Sequence, residues 1–209
     1  MSTTVDTLRL IVTWDCNLSC SYCCNHRPDV LDRVQVLPLE VIPWHRYSTL
    51  CLTGGEPLLD ILRLDGFMRA ALAARYPNQF QRVVLYTNGR LLNRGTAWSL
   101  KRAGVTHLNV SLHDHPNPFE FIRLIRKATS RTGLQVRFHI EDRRQGNLWA
   151  TLVSHGLAQV NLRTWTRGTC RRENEDLVAL EDPPAKWRGG DQYQFGQVGG
   201  EISPKAGEA

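Results

Sequence analysis

The sequence predicts an α/β fold in which parallel strands alternate with helices and close, partly or wholly, into a barrel. Three observations predict it. Short apolar runs recur between helix-length stretches from residue 8 to residue 166. Turn and cap signals punctuate them. Strands joined through a helix run parallel with right-handed crossovers, so a repeat of this kind leaves few topologies. The 209 residues, 42% of them hydrophobic, suffice for one substantial core. The simplest organisation is one domain over 1–166 with a tail over 167–209.

The elements follow in order. Leu8 to Trp14 is an apolar run that reads as the first strand, and Ser48 to Thr53, after a linker rich in Pro and Val, as the second. Leu59 to Ala74 reads as a helix with Leu62, Phe67, Ala70, Leu72 and Ala74 turned inward, stopped by Tyr76-Pro77-Asn78. Arg82 to Thr87 is a third strand, ended by Asn88-Gly89, and Gly95 to Ala103 a short helix closed by Gly104. His107 to Leu112 is the fourth strand. Asn117, Pro118 and Glu120 then supply an N-cap, a first-turn proline and a following glutamate for a helix running to about Arg131. Gln135 to Glu141 is the fifth strand, Leu148 to Gly156 a helix and Leu157 to Thr166 the sixth strand.

Strands four to six also alternate in polarity. Leu108, Val110 and Leu112 interleave with Asn109, Ser111 and His113; Val136, Phe138 and Ile140 with Arg137, His139 and Glu141; Val160 and Leu162 with Asn161, Arg163 and Trp165. Period two puts each set on one face. A parallel strand buried on both sides would be apolar on both, so the polar set is expected to line a wet or ligand-filled lumen. Arg137 and Arg163, if inward, present two guanidinium forks to a carboxylate or phosphate.

Composition limits the function classes. No run of about 18 apolar residues exists, and the N-terminus lacks a charged-then-apolar leader, so a cytoplasmic protein without membrane contact is expected. The first 166 residues hold 20 Lys/Arg against 12 Asp/Glu, whereas the tail is mildly acidic. A basic body suits an anionic substrate, DNA or RNA, or docking of an acidic electron donor. Arg123, Arg126, Lys127 and Arg131 fall near one helical face, for which a solvated exterior is the plain reading. Three of the six cysteines crowd into one early loop, as metal ligands do and as disulfide pairs do not.

That loop is Cys16-Asn17-Leu18-Ser19-Cys20-Ser21-Tyr22-Cys23. Three thiolates can converge on one soft metal, but a closed site normally takes four ligands, so three leave a position open for chemistry. Cys24 and His26 lie close enough to close a zinc knuckle instead. A second motif, Gly54-Gly55-Glu56-Pro57, follows the second strand; taken by itself it is also a tight turn entering a helix. The cysteine spacing, the aromatic Tyr22 before the third cysteine, and this second motif in this order together resemble the radical S-adenosylmethionine (radical SAM) superfamily.

The resemblance implies a partial (βα)6 barrel, a [4Fe-4S] cluster held by Cys16, Cys20 and Cys23, and S-adenosylmethionine chelating the open iron. Its reductive cleavage would yield a 5′-deoxyadenosyl radical that removes hydrogen from substrate. Gly54 and Gly55 would allow close approach of the methionine end, with Pro57 closing the motif, Glu56 facing the ammonium group and Tyr22 beside the cofactor. Thr87 and Ser111, at the ends of the third and fourth strands, would touch the same ligand. His113, Arg137, His139 and Arg163 are the candidates for substrate contact; Asp114 and His115 read as turn and pre-proline residues. Cys51 lies inside an apolar strand and reads as an inert thiol, and Cys170 as a spare cysteine in the tail.

The expected substrate is a small anionic molecule or a nucleobase, free or within nucleic acid, that is rearranged or functionalised. Two alternatives stand beside it: an activase that makes a glycyl radical on a partner protein, and a zinc-dependent nucleic-acid module without catalysis. The tail, with Trp187, Tyr193 and Phe195 among Gly, Pro and charge, is expected to be loosely ordered with short strand or turn pieces, and to pack as a lid.

Overall fold

The structure, a computed structural model, describes residues 6–20, 23, 31–75, 80–112, 115–139 and 175–183. Its strands are β1 (Thr7–Thr13), β2 (Gln35–Val36), β3 (Thr49–Gly54), β4 (Arg82–Thr87), β5 (His107–Ser111), β6 (Gln135–His139) and β7 (Glu175–Ala179). They form one sheet in the order β2-β7-β1-β3-β4-β5-β6, with neighbours parallel. Three helices, α1 (Ile61–Arg75), α2 (Arg94–Arg102) and α3 (Pro118–Thr129), make the crossovers from β3 to β6. This is an α/β sheet consistent with a partial barrel. The expected helix over 148–156 and strand over 157–166 lie outside the described residues, as do Tyr22, Cys24, His26, His113, Asp114, Glu141, Asn161, Arg163, Trp165, Cys170, Trp187, Tyr193 and Phe195.

Register divides the sheet into two faces. Leu8 pairs with Leu50, Leu50 with Val83, Leu85 with Leu108, Leu108 with Val136 and Val110 with Phe138. All belong to, or pack against, the main core under the helices. Each fully buried leucine there stabilises the fold by about 1.5–3 kcal/mol. The opposite, inner face carries Arg9, Thr53, Tyr86, Asn109, Ser111, Arg137 and His139, so the polar alternation extends into β1, β3 and β4 as well.

The helices begin where their caps direct. Asn117 Oδ1 accepts from the Glu120 amide at 3.1 Å, with Pro118 in the first turn, and Asn93 Oδ1 accepts from Thr96 at 3.0 Å. The inner face of α1 differs from expectation. Leu64, Met68 and Ala71 are buried, whereas Leu62 is 82% exposed and Ala70 and Ala74 face solvent. Positions 64, 68 and 71 are spaced by four and three, as one helical stripe requires; 62, 67, 70, 72 and 74 spread over more than one face.

Two further segments differ. The stretch read as a linker contains β2 and buries Ile42 and Trp44 in the core, with Trp44 edge-on to Phe80 at 6.3 Å. Residues 175–179, in the tail for which short strand pieces are expected, are a strand of the main sheet, paired with β1 on the side away from β3. Leu177 and Ala179 join Ile11 and Trp14 in a second, smaller apolar cluster, against which Leu31 and Val34 pack. Tyr47 donates to Asp176 Oδ2 at 2.7 Å, the Trp14 indole donates to the Glu181 carbonyl at 2.8 Å, and Arg63 of α1 pairs with the Glu181 carboxylate. Among the described residues no helix is long and apolar enough to cross a membrane.

Candidate active site

The carboxyl ends of β1, β3, β4 and β5 gather the two motifs. Where β1 ends, Thr13 pairs with Gly54, and the chain continues through Trp14 and Asp15 into the cysteine loop. Gly55 donates to the Thr13 carbonyl at 2.8 Å and Glu56 to the Asp15 carbonyl at 2.6 Å, so the second motif is laced to the stem of the first. The glycines are required by this lacing. A Cβ on Gly54 would fall 2.1 Å from the Thr13 oxygen, and one on Gly55 1.9 Å from the Asp15 oxygen; Gly54 also adopts φ 147°, which side chains disfavour. The two glycines thus let the stems of the two motifs approach each other closely.

Glu56 is likewise turned to the protein. It is fully buried: Oε1 accepts from the Leu58 amide at 3.0 Å and from Thr87 Oγ1 at 2.7 Å, and Oε2 from the Asn88 amide at 2.7 Å. It caps the 3-10 turn Pro57–Asp60, in which Pro57 is buried. These bonds make Glu56 a clamp between β3 and β4. Thr87 belongs to the same clamp. Its hydroxyl donates to Glu56 and accepts from the Gly89 amide at 2.9 Å, and its register partner Val110 belongs to the main core. Ser111, by contrast, is partly exposed on the inner face in register with His139.

Asn88 extends the clamp to the cysteine loop. Its Nδ2 donates to Asn17 Oδ1 at 2.7 Å. Its side chain also bonds the Cys16 thiol, which sits within the influence of Glu56 and Cys20. Although Cys16 is exposed as a residue, partial burial of its sulfur raises the thiol above its ordinary range; Glu56 and Cys20 add to this, and hydrogen bonds from the Leu18 backbone and Asn88 oppose it. Cys20 and Cys23 are half-buried, the Cys23 amide donates to the Cys20 carbonyl at 3.2 Å, and none of Cys16, Cys20, Cys23 and the buried Cys51 enters a disulfide. The fit to a cluster is one of donor chemistry, three soft thiols on one loop; among the described residues they are not drawn together into a metal-holding group.

The inner face below this rim is polar and aromatic. The Arg9 guanidinium lies 4.4 Å over the Tyr86 ring and donates to its hydroxyl at 3.3 Å, and His139 stacks against Tyr86 with ring centroids 6.4 Å apart. Arg137 stands on this face by register and is exposed. Arg9, Tyr86, Asn88 and Asn17 escape sequence reasoning. The alternation of Arg9 and Tyr86 with buried leucines is a usable signal for the first two.

The family model of the radical SAM superfamily matches residues 10–137. The chain belongs to the radical SAM superfamily. It is therefore an enzyme of the radical SAM type, with S-adenosylmethionine and an iron–sulfur cluster as the cofactors of its class, and the reading as a non-catalytic zinc module falls. Among its relatives, the GTP 3′,8-cyclase of Parasynechococcus marenigrum (strain WH8102) is 43% identical over 114 residues, 50% of this chain and 33% of the cyclase. The GTP 3′,8-cyclase of Helicobacter pylori (strain HPAG1) is 39% identical over 116 residues, 52% of this chain and 35% of the cyclase. The chain spans about a third of the length of these relatives. Native anSMEcpe with bound AdoMet superposes with a TM-score of 0.55 at 18% identity, over 85% of this chain and 52% of that one. Streptococcus suis SuiB bound to S-adenosylmethionine gives 0.54 at 13% identity, over 83% and 47%. At these identities the likeness is one of fold.

Proposed function

We propose that this radical SAM enzyme acts on a purine nucleotide, with the inner face of the sheet as its substrate side. The observation that carries the reading is the 43% identity to an enzyme named for GTP. The basic character of the chain and the placement of Arg137 and His139 on the inner face support it. Cys16, Cys20 and Cys23 would hold the cluster. Bound there, it would supply the electron that cleaves S-adenosylmethionine to methionine and a 5′-deoxyadenosyl radical.

The chain's own residues orient and enclose. Gly54 to Pro57 would offer backbone groups to the methionine end, Ser111 its hydroxyl from the neighbouring strand, and Tyr22 its ring beside the cofactor. Glu56, Thr87 and Asn88 hold these rims at fixed spacing, which is what positioning two reactants demands. His139 would face the nucleotide and Arg137 reach it from the open side of β6, with His113 and Arg163 as further contacts. Hydrogen abstraction would begin a rearrangement of the nucleotide, with flavodoxin or ferredoxin as the electron donor.

The test is anaerobic reconstitution followed by chromatography for 5′-deoxyadenosine, with GTP present and absent. Release that depends on the cluster, rises with GTP, consumes it and disappears in Cys20→Ala supports the reading. Release indifferent to GTP, with no purine nucleotide consumed, overturns the substrate assignment and leaves the class intact.

A further inference from the structure

Asn109 lies near the middle of β5 on the inner face, between Tyr86 of β4 and Arg137 of β6 in register. Its strand neighbours Leu108 and Val110 point the other way into the main core. The residue is 8% exposed, and its Oδ1 is enclosed with no hydrogen-bond partner among the described residues. A bare acceptor removed from water costs more than an ordinary hydrogen bond returns, so buried amide oxygens are almost always paired. A leucine at this position would avoid that cost. Neither polar neighbour in register reaches it: the Tyr86 hydroxyl accepts from Arg9, and Arg137 is exposed.

A donor that arrives with a ligand would supply the missing partner. Two residues above Asn109, toward the carboxyl end of β5, stands Ser111, so the acceptor sits about 7 Å beneath the rim. Phosphate oxygens at neutral pH carry no donor for it. Amino groups, ring N–H groups and ribose hydroxyls do. We propose that Asn109 is a ligand-reading residue whose Oδ1 accepts a hydrogen bond from an N–H or O–H donor on a bound nucleoside. That nucleoside is either the adenosyl part of S-adenosylmethionine or the purine nucleoside of the substrate. The inference rests on the nucleotide reading above and deepens it.

The experiment is calorimetric titration of the anaerobically reconstituted protein with S-adenosylmethionine and, separately, with GTP, for wild type and Asn109→Leu. The leucine variant is expected to lose about ten-fold in affinity for one ligand and little for the other. The ligand that weakens identifies the source of the donor. The unliganded leucine variant is expected to melt no lower than wild type, since it relieves an unpaired acceptor. Unchanged affinity for both ligands overturns the inference alone, as does equal loss for both together with a lowered melting temperature, the mark of a damaged fold. Wild type that binds neither ligand overturns the inference together with the nucleotide reading. Should the leucine variant not fold, Asn109→Ala is read the same way.

Discussion

Glu56→Gln separates two roles for the second motif. Were Glu56 an outward anion for a ligand's ammonium group, the substitution would weaken that ligand and leave the fold unchanged. The structure demands the reverse. The glutamine side chain retains one oxygen for the Leu58 amide and Thr87 Oγ1, but its NH2 group meets the Asn88 amide, donor against donor, where Oε2 now accepts at 2.7 Å. Leaving that buried amide unpaired costs about 1–3 kcal/mol. The two remaining bonds fall from charge-assisted to neutral, roughly halving their strength, for about a further 1 kcal/mol. Glu56 is fully buried, so solvent screens none of this. The expected loss is about 2–4 kcal/mol, read from the urea midpoint at unchanged slope by tryptophan fluorescence. A variant within about 0.5 kcal/mol of wild type, with weakened S-adenosylmethionine binding, would refute the clamp.

Three further outcomes are expected. Gly55→Ala places a methyl 1.9 Å from the Asp15 oxygen, so the Gly55–Thr13 and Glu56–Asp15 backbone bonds must part; a loss of about 2 kcal/mol or more is expected in urea, and a neutral result would show that the stem yields freely. The Tyr47 phenol is pushed up to about 12 by burial, and then by its hydrogen bond to Asp176 and that carboxylate's charge. Its folded value lies above the unfolded value of about 10, so its contribution is whole below pH 10 and is lost as pH rises toward 12; Tyr47→Phe should flatten the alkaline limb of stability against pH. Burial, then Arg82 and Arg137, hold His107 below its ordinary value despite a hydrogen bond to Gln135. Stability should therefore fall as pH drops below about 6.5, and His107→Gln should lessen that fall in urea titrations at several pH values.

The strands are legible in the sequence because their pattern is set by burial. Leucines and valines at every second position of β3 to β6 face the helices, and no other register hides them. The cap of α3 is legible because Asn117, Pro118 and Glu120 act within one turn. The face of α1 is missed when apolar type alone is weighed, because Leu62 stands in solvent while Met68 fills the core; the four-and-three spacing of Leu64, Met68 and Ala71 is what distinguishes them. Strand β7 is hidden because Asp176 and its charged surroundings read as tail, whereas pairing with β1, distant in sequence, makes it a strand. At the site, residue types are readable and directions are not. Glu56 and Thr87 are where the motif puts them, but what they face depends on Asn88 and Asn17, whose contacts cross between loops.

The position of β7 also orders events in time. β1 leaves the ribosome ahead of the other strands and has its second neighbour supplied by residues 175–179. Until those residues emerge, β1 is an edge strand with one row of backbone groups unpaired. Its cysteine loop waits with it: the Trp14 indole lacks the Glu181 carbonyl and Arg63 its carboxylate partner. Closing a loop of this length is entropically slow but adds little cost per residue. A nascent chain halted near residue 139 would carry all four strands from β3 to β6 and still hold its thiols on an unbuttressed stem. The stem that carries the cysteine loop is thus braced only when residues 175–181 arrive, a late strand serving as the latch on an early one.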